Sequence, residues 1–316
     1  MESNTENQPV HKRRVRYKGT HPRHYNEKYK ELNPEKYGET VEKVIRKGGT
    51  PAGMHISIMV QEILDTLKIQ PGETGFDATL GYGGHTKAML ACLNGQGHIY
   101  ATDVDPEESA KTKKRLEELG YGEDILTIRL QNFCTIDEIA KEVGGFDFIL
   151  ADLGVSSMQI DNPKRGFSFK VDGPLDLRLN QEAGISAAER LDTITREELA
   201  GMLYENSDEP YCEELAKAIT DEIRKGNRID TTTKLREVIE KTLDFLPEKE
   251  KKDTIKKTCQ RTFQALRIDV NREFEVLYEF MEKLPDALRP GGRAAILTFH
   301  SGEDKLVKKA LKEGYK

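Results

Sequence analysis

No stretch of this sequence approaches the ~18 consecutive apolar residues that a membrane-spanning helix requires. The polar opening, residues 1–14, also lacks the apolar centre of a secretory signal. Both absences point to a soluble protein that stays in the cytoplasm. Cysteine is scarce: Cys92, Cys134, Cys212 and Cys259 are widely separated, form no Cys-x-x-Cys pair and have no histidine at ligand spacing. That pattern argues against a disulfide framework and against a structural zinc site, and no metal is expected. Positive charge in excess is missing too. With a formal net charge of −6, no global field draws the chain to nucleic acid, so any such contact must come from local patches.

What is present is a charged chain long enough for one large or two ordinary domains. Its charged fraction of 33% suits long solvated helices around a normal core. Between Lys12 and Lys30 stand eight lysines and arginines against the single acid Glu27, interleaved with Tyr17, Tyr25, Tyr29, His21 and His24. Cations for phosphates and rings for bases suit a nucleic-acid-binding arm. A disordered, solvated tail would look the same, and residues 1–50 are read as a basic extension of either kind.

From about Met54 apolar strands alternate with amphipathic helices. Strands are expected at 75–80, 98–102, 125–130 and 146–151, with helices at 86–93 and from Asp105-Pro106 to Gly120. This rhythm means parallel βαβ units and a doubly wound α/β sheet. It breaks after Asp152. A loop rich in Gly, Ser, Asp and Arg, residues 154–180, leads into helical sequence with capping boxes at Ser186/Glu189 and Thr195/Glu198. Leu235, Val238, Ile239, Thr242, Leu243 and Leu246 line one helix face. The sheet pattern resumes with a helix around Phe274–Met281, the turn 289–292 and a strand at 293–299. The parse is a nucleotide-binding domain of residues 51–179 and 259–316, interrupted by an all-helical substrate-recognition insertion at 180–258.

Unusual residues gather at the carboxyl ends of the expected strands, where open parallel sheets bind ligands. Gly81, Gly83 and Gly84 follow the first strand, Asp103 ends the second, Phe133 follows the third and Asp152 ends the fourth. Asp103 can accept hydrogen bonds from both hydroxyls of a ribose, and Phe133 can pack on an adenine. A dinucleotide fingerprint, Gly-x-Gly-x-x-Gly, is incomplete because Thr86 holds its third place. A cofactor with no pyrophosphate, S-adenosylmethionine, does not need that glycine.

More particular are Asp152-Leu153-Gly154-Val155-Ser156-Ser157-Met158-Gln159, Arg165-Gly166-Phe167-Ser168-Phe169 and Asp172-Gly173-Pro174-Leu175-Asp176-Leu177-Arg178. With Asp77-Ala78-Thr79-Leu80-Gly81-Tyr82-Gly83-Gly84-His85, Arg261–Ile268 and Phe299-His300-Ser301, they span some four-fifths of the chain. Together they closely resemble the bacterial small-subunit (16S) ribosomal RNA cytosine-N4 methyltransferase family, called RsmH or MraW.

The resemblance implies a Rossmann-like class I methyltransferase sheet with an inserted helical domain. It also implies a cytosine of the decoding region of small-subunit ribosomal RNA as substrate. By motif, cofactor contacts fall on Gly83, Gly84, His85, Asp103, Phe133, Asp152 and Gln159. Asp152 with the carbonyls of Leu153 and Gly154 would receive the reacting amine. Lys164, Arg165 and Arg178 would hold phosphates, with Arg178 also able to pair internally with Asp176. Phe167 or Phe169 would either stack on an extruded cytosine or fill space beneath the loop. Members of the family continue past the Phe299-His300-Ser301 segment into two further strands, whereas this sequence stops at Lys316. The strand at 293–299 is therefore expected as an unprotected edge. A non-catalytic ribosome-binding factor that keeps the fold is the alternative; methyl incorporation separates the two.

Overall fold

Five short apolar runs pair into one parallel sheet in the computed structural model, which describes residues 57–314. The basic extension read at residues 1–50 lies outside the described residues. The strands are β1 (Thr74–Asp77), β2 (His98–Asp103), β3 (Leu126–Leu130), β4 (Phe146–Asp152) and β5 (Leu288–Leu297). Their order is β3-β2-β1-β4-β5, so the chain winds outward in one direction from β1 and then returns to wind in the other. A crevice opens where the direction reverses, between the carboxyl ends of β1 and β4.

Alternation along a strand feeds both faces of the sheet. Phe148 and Leu150 of β4 join Leu67, Met89, Leu90 and Leu93 on one side. Ile149 and Ala151 join Ile139, Phe280 and Leu284 on the other. Helices therefore cover both faces, which is why β4 reads as a nearly continuous hydrophobic run. The last strand differs from the reading at 293–299. It begins at Leu288, and the expected turn at 289–292 is an irregularity inside it, where Phe146 pairs with Leu288 and Phe148 with Arg293. Gly291, at φ +82, absorbs that irregularity. β5 lies at one end of the described sheet.

A separate cluster of buried residues gathers on the helices Ala187–Thr193, Arg196–Ser207, Cys212–Arg224 and Thr232–Thr242 and on part of Glu248–Asn271. Both anticipated capping boxes are made, at Ser186/Glu189 and Thr195/Glu198. Leu235, Ile239 and Leu243 are buried as the helix-face pattern required. The helix Glu248–Asn271 runs without a break through positions 258 and 259.

The polar loop after β4 is where the structure corrects the sequence reading most. Arg165, expected on phosphates, is only 4% exposed, and its Nη2 donates to Asp105 Oδ2 at 2.8 Å. The same guanidinium nitrogen donates to the carbonyl of Leu179 at 2.6 Å. Arg178 takes the internal alternative to a phosphate: it forms a two-pronged pair with Asp176, both distances 2.8 Å, and reaches the Gly184 carbonyl with its third nitrogen. Phe167 is buried in the helical cluster, and Phe169 packs edge-on against Phe263. Phe167 is thus closed off from solvent, and Phe169 is partly buried. Loops rich in polar residues still have to satisfy their own backbone and fill their own interior, and these four side chains do that work. Lys164 alone of the five expected RNA contacts stays exposed. Gly166 shows how tight the loop is: at φ +71, a Cβ there would lie 2.1 Å from the Pro174 carbonyl oxygen.

Asp105 is 1% exposed, so the Arg165–Asp105 pair is desolvated on both sides. Removing one partner leaves a buried charge uncompensated, which typically costs about 3–5 kcal/mol. Arg165→Met should therefore lower the urea midpoint by a stability loss in that range. A shift equivalent to less than about 1 kcal/mol, the worth of a surface pair, would contradict this account.

Candidate active site

One cleft of about 280 Å³ lies at the carboxyl ends of the strands. Its lining includes Gly83, Gly84, His85, Asp103, Phe133, Asp152, Leu153, Gly154 and Gln159, every residue expected at the cofactor or at the reacting amine. Lys164, Arg165, Phe167, Phe169 and Arg178 are not in its wall.

The floor is built by the turn after β1. Gly81 N–H donates to Asp103 Oδ2 at 2.8 Å, and the Gly81 carbonyl accepts from Thr112 Oγ1. Gly83, at φ +79, presses on the helix Pro106–Glu118, where a Cβ would lie 2.7 Å from Thr112 Cγ2. Gly81, Gly83 and Gly84 thus leave backbone open to the cleft on either side of Tyr82. Asp103 stands beside it at the end of β2, its Oδ1 accepting from Asp105 N at 2.9 Å. Burial outweighs these two donors and pushes the Asp103 carboxyl up to about 6. Phe133, in the turn after β3, meets Phe280 nearly at a right angle with ring centres 5.1 Å apart, and it lines the cleft.

Across the cleft, Asp152 is positioned by its own N–H, which donates to Thr79 Oγ1 at 2.7 Å. Its Oδ2 lies 3.3 Å from Nε2 of the buried His85, without the alignment of a hydrogen bond, and its Oδ1 has no partner at all. A buried, unpartnered carboxylate oxygen in a cleft wall is costly unless something polar is delivered to it. His85 therefore backs Asp152 from behind. Gln159 reaches the wall with its amide already committed. It donates to Asp105 Oδ2 at 3.0 Å and accepts from Ser156 N at 2.9 Å, so it braces the loop.

The sequence reading assigned no role to Asn271, Glu273, Phe299 and Glu303, which also line the cleft. Asn271 ties down the loop by donating to Leu177 O at 2.7 Å and accepting from Leu179 N at 2.8 Å. Glu273 is paired in two-pronged fashion with Arg267, at 2.8 and 2.9 Å. Glu303 is 4% exposed and accepts from Phe299 N at 2.8 Å, with His300 Nε2 3.2 Å away. Burial alone would raise the Glu303 carboxyl, but His300 and the Phe299 N–H outweigh it and hold it below the ordinary value. Glu273, His300 and Glu303 lie close enough together to suggest a cation site. Their lone pairs, however, are largely taken up by Arg267, by the Phe299 N–H and by the helix cap that His300 Nδ1 makes to Glu303 N. The available signal was the motif Phe299-His300-Ser301, matched as a whole but not parsed into contacts.

A parallel sheet in this order, with a glycine-rich turn after β1 and acids ending β2 and β4, defines an α/β Rossmann-like methyltransferase. The chain belongs to the MraW methylase family, whose sequence pattern matches residues 52–316. It is 84% identical over 306 residues to ribosomal RNA small subunit methyltransferase H 1 of Agathobacter rectalis, covering 97% of this chain and 88% of that one. The protein of the same name from Lachnoclostridium phytofermentans is 70% identical, over 98% of this chain and 84% of its own. Ribosomal RNA small subunit methyltransferase H of Fusobacterium nucleatum is 40% identical, over 82% and 80%. Among the described residues no helix is long and apolar enough to cross a membrane.

Beneath the cleft floor, Asp77 is 1% exposed and accepts from Thr86 Oγ1 at 2.6 Å and Thr79 N at 3.0 Å. Burial raises its carboxyl above the ordinary 3.8. The folded state therefore takes up this proton more readily than the unfolded chain. The group's stabilising contribution is full below about pH 4 and is lost as pH rises through the folded value. Asp77→Asn can keep both bonds without the charge. It should be more stable than the parent at pH 8, and the gain should shrink towards zero near pH 4 in paired urea titrations. An equal gain at both pH values would rule out relief of a buried charge.

Proposed function

We propose that this protein transfers a methyl group from S-adenosylmethionine to the N4 amine of a cytosine in the decoding region of small-subunit ribosomal RNA. The observation that carries the reading is the Asp152 carboxylate, one oxygen of which has no hydrogen-bond partner, held in the same cleft wall as a carboxylate suited to a ribose and a ring suited to an adenine. The names of the relatives supply the RNA.

S-adenosylmethionine, when bound, contributes an electrophilic methyl on a sulfonium whose leaving group departs neutral. The chain's own residues have three tasks. Asp103 accepts from the ribose hydroxyls, Phe133 lies against the adenine, and Gly83 and Gly84 let the ligand approach the backbone. The exocyclic amine of cytosine is a poor nucleophile because its lone pair is delocalised into the ring. The Asp152 carboxylate and the carbonyls of Leu153 and Gly154 accept its two N–H bonds, turn the lone pair towards the methyl and draw off the positive charge that develops, and Asp152 takes the proton that the methylated amine gives up. Acceptors already in place act without reorganising, so their benefit falls on the transition state. No general acid is needed. Lys164, exposed on the loop, is available to a phosphate.

Methyl transfer from radiolabelled cofactor to small ribosomal subunits and to free ribosomal RNA, followed by nucleoside analysis, tests the reading. N4-methylcytidine in either is the expected product; its absence from both overturns it. Asp152→Ala should lower kcat by about 10²–10³, the typical loss of a preorganised electrostatic group, while cofactor affinity moves far less. Near-parental turnover at saturating cofactor and RNA would remove Asp152 from the chemistry.

Cofactor affinity should also depend on pH through Asp103. The ionised carboxylate is the acceptor, and its carboxyl is pushed up to about 6 in the free protein. Binding of S-adenosylhomocysteine should be constant above that value and weaken below it, by up to about tenfold per pH unit. Calorimetry between pH 5 and 8 measures this, and Asp103→Asn should flatten the profile. A parental profile with no bend in this window would exclude Asp103 as the ribose acceptor.

A further inference from the structure

We infer that Phe299 is the platform on which the target cytosine, turned out of the RNA, stacks during methyl transfer; this rests on the function proposed above. The two phenylalanines that the loop motif suggested for this role are packed into the helical cluster and against Phe263. An extruded base still needs a flat apolar surface beside the methyl acceptor.

Three observations converge on Phe299. Its ring is 55% exposed and lines the cleft. Of the other six-membered rings in that wall, Phe133 is braced by Phe280 and Tyr82 is covered by the Arg115 guanidinium at 3.8 Å. Its place is also set by register. Asp152 pairs with Leu297, and Leu153 N–H donates to Leu297 O at 3.1 Å, so the two chains stay side by side beyond the sheet. Two residues further on, a Cβ at Gly154 would lie 3.7 Å from Phe299 Cδ2. The ring thus flanks the Asp152-Leu153-Gly154 segment that receives the amine.

Finally, the backbone at this position is held. The Phe299 N–H is anchored on the buried Glu303 carboxylate at 2.8 Å, and His300 caps the helix that carries Glu303. The main chain that carries the ring is thus fixed while the residue stays exposed in the cleft, which suits a base whose own faces lose their neighbours when it leaves the helix.

The test is single-turnover methyl transfer to RNA at saturating cofactor for Phe299→Ala, Phe299→Leu and Phe299→Trp, with S-adenosylhomocysteine affinity and thermal stability measured alongside. Loss of one base-stacking contact corresponds to about 5- to 150-fold, so Phe299→Ala should lose that factor in kcat/KM for RNA. Phe299→Leu should fall with alanine because it has bulk without a π-face, and Phe299→Trp should recover most of the activity. Cofactor affinity and melting should stay at parental values in all three. Full activity in Phe299→Ala, or equal recovery by leucine and tryptophan, overturns the inference. A parent protein that makes no N4-methylcytidine sinks the proposed function itself, and this inference with it.

Discussion

A single desolvated ion pair, Arg165 to Asp105, ties the loop after β4 to the strand end that carries Asp103. Asp105 has four bonds to its side chain. One oxygen caps the helix Pro106–Glu118 through the N–H groups of Glu107 and Glu108; the other accepts from Arg165 and Gln159. Its backbone N–H in turn orients Asp103. The helix start, the Asp103 carboxylate and the loop therefore share one side chain. A buried ion pair is favourable only when geometry and further hydrogen bonds repay desolvation, and here the carbonyls of Arg178 and Leu179 add two acceptors to the same guanidinium nitrogen, while the buried Nε is left without a partner. Asn271 holds the same loop from the far side. Fixed at both ends, the loop delivers Leu153 and Gly154 to the cleft as part of a rigid wall.

The cost of the site is electrostatic. Parallel winding brings Asp77, Asp103 and Asp152 to the ends of three adjacent strands, and burial raises the first two towards neutrality. Asp77 helps to shape the turn by bonding Thr79 and Thr86, while Asp103 is partly buried in the cleft wall. Asp152 keeps one oxygen without any partner. A protein selected for stability alone would not place three acids so, and the arrangement is the kind of local cost that binding sites carry. The two packed faces of the sheet absorb it.

The rim divides by origin. The side expected to meet cofactor comes from β1, β2 and β3 with the turns after them. The side expected to meet a base comes from the segments after β4 and β5, where Glu303 and His300 anchor the backbone of the exposed Phe299. Phe167, Leu175 and Leu177 lend the loop's apolar residues to the helical cluster, so that cluster and the site wall are packed as one structure.

Much of this was legible in the chain itself because it depends on short range. Capping boxes at Ser186 and Thr195 close over three residues, and strand and helix periods show in local spacing. The glycines of the turn, Asp103, Phe133 and Asp152 could be assigned together because parallel βαβ winding puts every strand's carboxyl end on one edge. The fate of Arg165 was not legible, and for Arg178, Phe167 and Phe169 the sequence left an internal role and an RNA contact both open. A cation or ring in a polar loop has the same local signature whether it faces solvent or a partner sixty residues away. Asn271, Glu273, Phe299 and Glu303 reach the cleft only because β5 pairs with β4 after the helical segment has intervened. Sequence determined which residues end the strands; tertiary packing decided which of the remaining charges and rings are spent inside the protein and which are left facing the cleft. Desolvation drives that choice, since a buried charge must find its partner in the fold and an exposed one need not.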